Sequence, residues 1–292
     1  MFPLLGLMGL ALAGSALVET SPQDGGQADD SPDPDATTPD RAGDTDGAVA
    51  DMLVQLVEGG DTNDELYGSA EADRIAGRDG DDHIDGREGD DIRAGGPGAD
   101  ILHGYDGADS LTGDAGADTL HGCLGDDLLD GGDGDDKLIG GAGDDSLTGG
   151  ASADSLLGGF GNDTLIGGAG ADVLHGGDGD DHVDGATGED SATRDFVNGG
   201  AGADHVTGGA GDVLDGGSGT DTFAVMGADV TVMDYTPGED SLILHTSGAE
   251  TALSSEVTDD GVIVKADGEP LALLRGLETI DLDSITVQPA RP

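Results

Sequence analysis

The sequence predicts an all-β protein, a parallel β-roll or solenoid of nonapeptide repeats with a C-terminal β-strand cap, preceded by an N-terminal hydrophobic helix and a disordered acidic linker. Three observations predict it. Aspartate recurs at every ninth residue from 64 to 190 without a miss. An apolar residue follows two positions after nearly every one of them, and glycines hold slots five, four and two positions before. Aromatic residues are 2% of the chain and Trp is absent, so a conventional core cannot offset the ordering entropy of 57 glycines.

Residues 2–18 are apolar and uncharged, and Glu19 follows at once. The run predicts a membrane-targeting helix within residues 1–20. It lacks a basic n-region, is long for a signal-peptide core and lies near the lower limit for a membrane span. A cleaved signal and a signal-anchor are both open, the second attaching the chain to a membrane through residues 2–18. Residues 21–57, with DDSPDPDATTPD among them, have no apolar periodicity and predict a solvated acidic linker.

Residues 58–221 carry the repeat G-G-x-G-x-D-x-U-x, with U apolar. Paired glycines allow a sharp turn, and the three residues after the aspartate suit one short strand. Two repeats close one coil, so residues eighteen apart stack, with a rise of about 4.8 Å per coil. Two ladders follow. One holds Asp64, Asp82, Asp100, Asp118, Asp136, Asp154, Asp172 and Asp190; the other holds Asp73, Asp91, Asp109, Asp127, Asp145, Asp163 and Asp181. Leu66, Ile75, Ile84, Leu102 and their successors to Val183 form the inner rows, with Arg93 and Ala192 as exceptions.

Stacked carboxylates about 5 Å apart repel one another unless a cation lies between them. The chain has 63 acidic and 10 basic side chains, a formal charge of −53, which disfavours nucleic acid and anionic surfaces and attracts hard cations. Carboxylates with glycine carbonyls offer six to eight hard oxygens, the coordination of Ca2+ rather than Mg2+ or Zn2+. Each inner side chain contributes only about 2 kcal/mol, so binding of multiple calcium ions and folding are expected as one event. The candidate ligands are Asp82, Asp91, Asp100, Asp109, Asp118, Asp127, Asp136, Asp145, Asp154, Asp163, Asp172, Asp181 and Asp190. The sole cysteine, Cys123, excludes an internal disulfide framework.

After Asp190 the register breaks, and Asp204 follows fourteen residues later, which predicts a five-residue surface loop. Asp212 comes one residue early and Asp221 nine after it, so these repeats are expected to bind weakly. In residues 222–292 glycine thins and apolar segments at 230–233, 242–244, 262–264 and 271–274 predict antiparallel strands of the cap.

The array from Gly59 to Phe223 resembles the RTX, or haemolysin-type, calcium-binding repeat proteins. The resemblance implies a calcium-loaded β-roll, export from a Gram-negative bacterium and folding outside the cell, hence a secreted or cell-surface protein. VMDYTPGEDSLIL at 232–244 is similar to the segment that follows such repeats and caps the roll. The apolar N-terminus and the ending QPARP depart from the uncleaved C-terminal signal that the resemblance implies. The early repeats also drift, with Arg78 and Arg87 in place of second glycines.

Other chemistries fit less well. The acidic strings lack the glycine and glutamate positions of an EF-hand. His103, His121 and His175 share one sheet and are read as exposed strand residues, with a transition-metal site as the alternative. Cys123 stands in a glycine slot as a tolerated small residue. Neither H-E-x-x-H nor G-x-S-x-G occurs, and no separate region of enzyme size remains, so no catalytic function is expected. The alternative function is a calcium-dependent cell-surface adhesin or polysaccharide-binding module.

Overall fold

The computed structural model describes residues 55–188, 193–246 and 251–289. The predicted hydrophobic helix and nearly all of the predicted linker lie outside them. The first described residues, Gln55–Glu58, are already a strand, paired in parallel with Asp73–Ala76. The roll therefore starts earlier than the expected boundary at 58.

Twenty-five strands among the described residues form two sheets, of twelve and thirteen strands. From Gln55–Glu58 to Ser241–Thr246 successive strands alternate between the sheets, so a strand's neighbour there is the next but one in sequence. Lys137–Ala142 shows the register, with Leu138 pairing with Leu120 on one side and Leu156 on the other, eighteen residues away each time.

Within each strand the pleat turns alternate residues inward. In Lys137–Ala142, Leu138 and Gly140 are buried while Lys137 is exposed. The inward leucines of the two sheets, such as Leu120, Leu138 and Leu156 against Leu129, Leu147 and Leu165, make one continuous core. Its thickness is two side chains.

The inserted loop is five residues long, as expected, because Val173–Asp178 pairs with Phe196–Gly202 at an offset of 23 rather than 18. The position of the insertion differs from the expectation. It precedes Asp195, which stands nine residues before Asp204 and has Val197 two positions after it, buried in the core row. Before the loop, Asp184 accepts hydrogen bonds from the backbone N–H of Ala186 and Thr187 and from the Thr187 hydroxyl.

The C-terminal strands are not all antiparallel. Val230–Val232 and Ser241–Thr246 continue the two sheets in parallel, and Thr286–Pro289 adds in parallel to Ser241–Thr246. Only Leu253–Val257, Gly261–Ala266 and Glu269–Arg275 form an antiparallel meander, whose last strand joins Val230–Val232 in parallel. Alternating apolar residues mark a half-buried strand but carry no record of its direction. Tyr235 and Ile285 are buried at this end, and Tyr235 meets Phe223 edge to face with centroids 6.2 Å apart. The core rows thus end under side chains rather than in water.

Four residues before the aspartate, the regular turns take a left-handed backbone. Gly132 and Gly150 have φ of 106° and 112°, and the residues that replace glycine in this slot, Arg78, Arg87, Tyr105, Asp114 and Cys123, follow with φ between 75° and 86°. A side chain there costs about 1–2 kcal/mol, while glycine's extra chain entropy costs about 0.5–1 kcal/mol. Cys123→Gly is therefore expected to stabilise the folded protein by roughly 0.5–1 kcal/mol, read from chemical denaturation midpoints. Equal or lower stability would contradict the strain.

Candidate metal centre in the stacked turns

Asp82, Asp91, Asp100, Asp109, Asp118, Asp127, Asp136, Asp145, Asp154, Asp163, Asp172 and Asp181 are all buried, at 3% exposure or less. Their backbones and side chains interlock from coil to coil. Oδ1 of Asp154 accepts the N–H of Asp136 at 2.8 Å, Oδ1 of Asp136 that of Asp118, and Oδ1 of Asp118 that of Asp100. The second ladder repeats this through Asp109, Asp127, Asp145, Asp163 and Asp181. Asp190 lies outside the described residues. The ladder position after Asp172 belongs to Asp195, whose Oδ1 accepts the Asp172 N–H at 2.7 Å. Unbroken nine-residue spacing pointed to Asp190; the missed signal was the apolar residue two positions on, Val197 against Ala192.

An outer ladder runs one residue earlier. Asp81, Asp90, Asp126, Asp135 and Asp144 each accept a backbone N–H from the following coil, at 2.8–3.1 Å. These side chains are exposed and already serve the backbone.

The second carboxylate oxygen of the inner aspartates is different. Oδ2 of Asp82, Asp100, Asp109, Asp118, Asp127, Asp136, Asp145, Asp154, Asp163, Asp172, Asp181 and Asp204 is buried and has no hydrogen-bond partner. A buried carboxylate oxygen left so carries a large desolvation penalty. At Asp64, Asp73 and Asp240 the backbone N–H four residues earlier, from Gly60, Ser69 and Thr236, donates to Oδ2 at 2.6 Å; at Asp212, Gly209 donates. The left-handed slot separates the two kinds of turn. Where the residue four before the aspartate has positive φ its N–H is turned away from Oδ2, while Gly60, Ser69, Gly208 and Thr236 lack positive φ.

The space beside Oδ2 is cradle-shaped. A methyl carbon placed on Gly131 would stand 2.5 Å from both Asp136 Oδ2 and the carbonyl oxygen of Gly149 in the next coil, and one on Gly149 would stand 2.5 Å from Asp154 Oδ2 and the Gly167 carbonyl. The first glycine thus keeps open a gap that two hard oxygens face. These residues fit a calcium ion, which takes carboxylate and carbonyl oxygens at about 2.3–2.6 Å.

Arg93 breaks the pattern from inside. It replaces a core leucine, is 1% exposed, and pairs with Asp91 Oδ2, the oxygen left without a partner in the regular turns. Its guanidinium also lies 3.3 Å from the Gly104 carbonyl oxygen and 3.4 Å from Asp109 Oδ1. It stands among oxygens of two adjacent turns.

Burial raises the inner carboxyls. Asp145 and Asp154 are pushed up to about 7, and Asp100, Asp127, Asp136, Asp181 and Asp204 to about 6. Desolvation is the largest cause, the backbone N–H from the preceding coil acts in the opposite direction, and neighbouring carboxylates raise them further. Burial also pushes the Cys123 thiol up, which disfavours the reactive thiolate.

This geometry defines a parallel β-solenoid repeat protein whose stacked turns hold buried aspartate oxygens facing backbone carbonyls. The sequence profile described as RTX calcium-binding nonapeptide repeat (4 copies) matches residues 58–92, 94–129, 130–165, 157–192 and 191–223, more than half of the chain. The chain belongs to this RTX family and is a calcium-binding repeat protein. No curated protein matches it in sequence. Its structure is similar to a hyperactive, Ca2+-dependent, β-helical antifreeze protein from an Antarctic bacterium, at 22% identity, covering 63% of this chain and 77% of that one, with a TM-score of 0.26. It is also similar to a subunit of the Azotobacter vinelandii mannuronan C5-epimerase, at 25% identity over 51% and 78% of the two chains, with a TM-score of 0.20. The extracellular lipase of Serratia marcescens matches at 19% identity over 81% of this chain and 40% of its own, with a TM-score of 0.22.

The raised carboxyls fix the sign of a pH effect on the ion-free protein. Between about 4, the unfolded value, and about 7, the folded state holds more protons than the unfolded one, so stability falls as pH rises through this window. Without calcium, β-sheet circular dichroism is expected to be stronger at pH 5 than at pH 8. A stronger signal at pH 8 would contradict the assignment.

Proposed function

We propose that this chain is an extracellular calcium-binding repeat protein that folds as calcium enters its turns, and that its role is structural rather than catalytic. The observation that carries the proposal is the run of buried Oδ2 atoms without partners in consecutive turns. Calcium supplies the charge these oxygens lack and removes the repulsion between coils. Asp82, Asp100, Asp109, Asp118, Asp127, Asp136, Asp145, Asp154, Asp163, Asp172 and Asp181 are the proposed ligands, with Asp195 in the place expected of Asp190. The turns of Asp64, Asp73, Asp212 and Asp240, closed by backbone N–H groups, need no ion. RTX repeat proteins are typically secreted, and calcium is plentiful outside cells. No helix among the described residues is long and apolar enough to cross a membrane; membrane attachment through residues 2–18 remains a proposal from the sequence.

A second reading, calcium-dependent attachment to cell-surface polysaccharide, is favoured by one feature. A shallow groove of about 700 Å3 on the thirteen-stranded sheet places Phe160 beside the polar groups of Asp178, Asn198 and Asp215, the pairing of apolar face and hydrogen-bonding groups that a sugar requires.

Titrating the full chain with calcium at pH 7.5 is expected to develop β-sheet circular dichroism between about 10⁻⁴ and 10⁻³ M. A spectrum unchanged to about 10 mM, an order of magnitude above that range, would refute folding on calcium. The Asp91 turn already has a cation in Arg93, so Asp91 is removed from the expected ligands. Arg93→Leu restores a regular repeat there and is expected to raise the calcium bound per chain by one ion in equilibrium dialysis; unchanged binding would show that Arg93 is no substitute for calcium.

A further inference from the structure

The outer face of the thirteen-stranded sheet holds a cluster that the calcium turns do not use. Asp85 and His103 are direct partners on adjacent parallel strands, His83–Glu88 and Ile101–Asp106. His83 lies two residues before Asp85 and so projects from the same face. His83 Nε2 is 3.5 Å and His103 Nδ1 is 3.3 Å from the same oxygen, Asp85 Oδ1. One donor atom from each of the three residues falls within 4.8 Å of the others. Asp85 Oδ1 and His103 Nδ1 are shielded from solvent yet have no hydrogen-bond partner.

We propose that His83, Asp85 and His103 form a site for a divalent transition-metal ion of the zinc class, separate from the calcium turns. Two imidazoles and one carboxylate are a ligand set for such ions and a poor one for calcium, which prefers oxygens only. Around a tetrahedral ion with ligands at about 2.0–2.1 Å, donor atoms stand roughly 3.3–3.4 Å from one another, close to the two separations observed.

The next coil supports the site. His121 is the register partner of His103 and stacks on its ring, with centroids 5.0 Å apart and planes inclined by 24°. The parallel register makes the cluster: outward residues at the same repeat position fall in line every eighteen residues. The other stacked pair, His182 and His205, lies on the opposite sheet.

The test uses the full chain at saturating calcium, with Co2+ as a spectroscopic probe of the zinc class. The wild type is expected to bind one Co2+ with visible ligand-field absorption that Zn2+ abolishes. Asp85→Asn and His103→Ala are each expected to weaken binding at least tenfold, whereas His182→Ala leaves it unchanged. Circular dichroism with calcium shows whether each variant keeps the roll, and Asp85→Asn preserves side-chain shape. Absence of the band in the wild type, its survival in Asp85→Asn and His103→Ala, or equal loss in His182→Ala would overturn the site.

Discussion

Everything in this protein depends on how one carboxylate oxygen per turn is satisfied. The aspartate's Oδ1 ties each coil to the one before through a backbone N–H, as Asp136 does to Asp118. That bond places Oδ2 inside the turn, over a glycine whose missing Cβ leaves it room. Burial without a partner is costly, and the cost recurs in coil after coil along both ladders. Leucine rows two side chains thick are a thin offset to it and to the entropy of so much glycine, and in the proposed function calcium supplies the rest.

The backbone decides which turns are open. A left-handed residue four positions before the aspartate turns the local N–H away and leaves Oδ2 exposed to the interior of the turn; an ordinary conformation there lets the N–H close it. The turns of Asp64 and Asp73 near the N-terminal end and of Asp212 and Asp240 near the C-terminal end are closed in this way. Turns with an open Oδ2 therefore lie between turns closed by a backbone N–H. Arg93 offers a third solution, an internal guanidinium at Asp91.

The ladders, the leucine rows and the two-repeat coil were legible in the sequence because a strict period admits one stacking. Asp195 was not, because Asp190 kept the nine-residue count while the apolar mark two positions on had moved to Val197. Arg93 read only as an exception to the apolar row, since an isolated sequence does not show that a long cation can reach a carboxylate two residues away inside the core. His103 and His121 were picked out as sharing a sheet, but His83 and Asp85 were passed over. Their roles depend on adjacency across strands, and Asp85 looked like one more acid among 63. His175 does not join them: its register partners are Leu157 and Asn198. Strand direction in residues 222–292 was beyond reach, because alternation does not encode it.

The most direct measurement is a crystal structure of the calcium-loaded chain with the ions located by their anomalous scattering. The account predicts calcium at about 2.3–2.6 Å from Oδ2 in the turns of Asp100, Asp118, Asp127, Asp136, Asp145, Asp154, Asp163, Asp172 and Asp181, and none in the turns of Asp64, Asp73, Asp212 and Asp240. Ions held instead by the outer ladder of Asp81, Asp126 and Asp144, with the inner Oδ2 atoms still without partners, would contradict it.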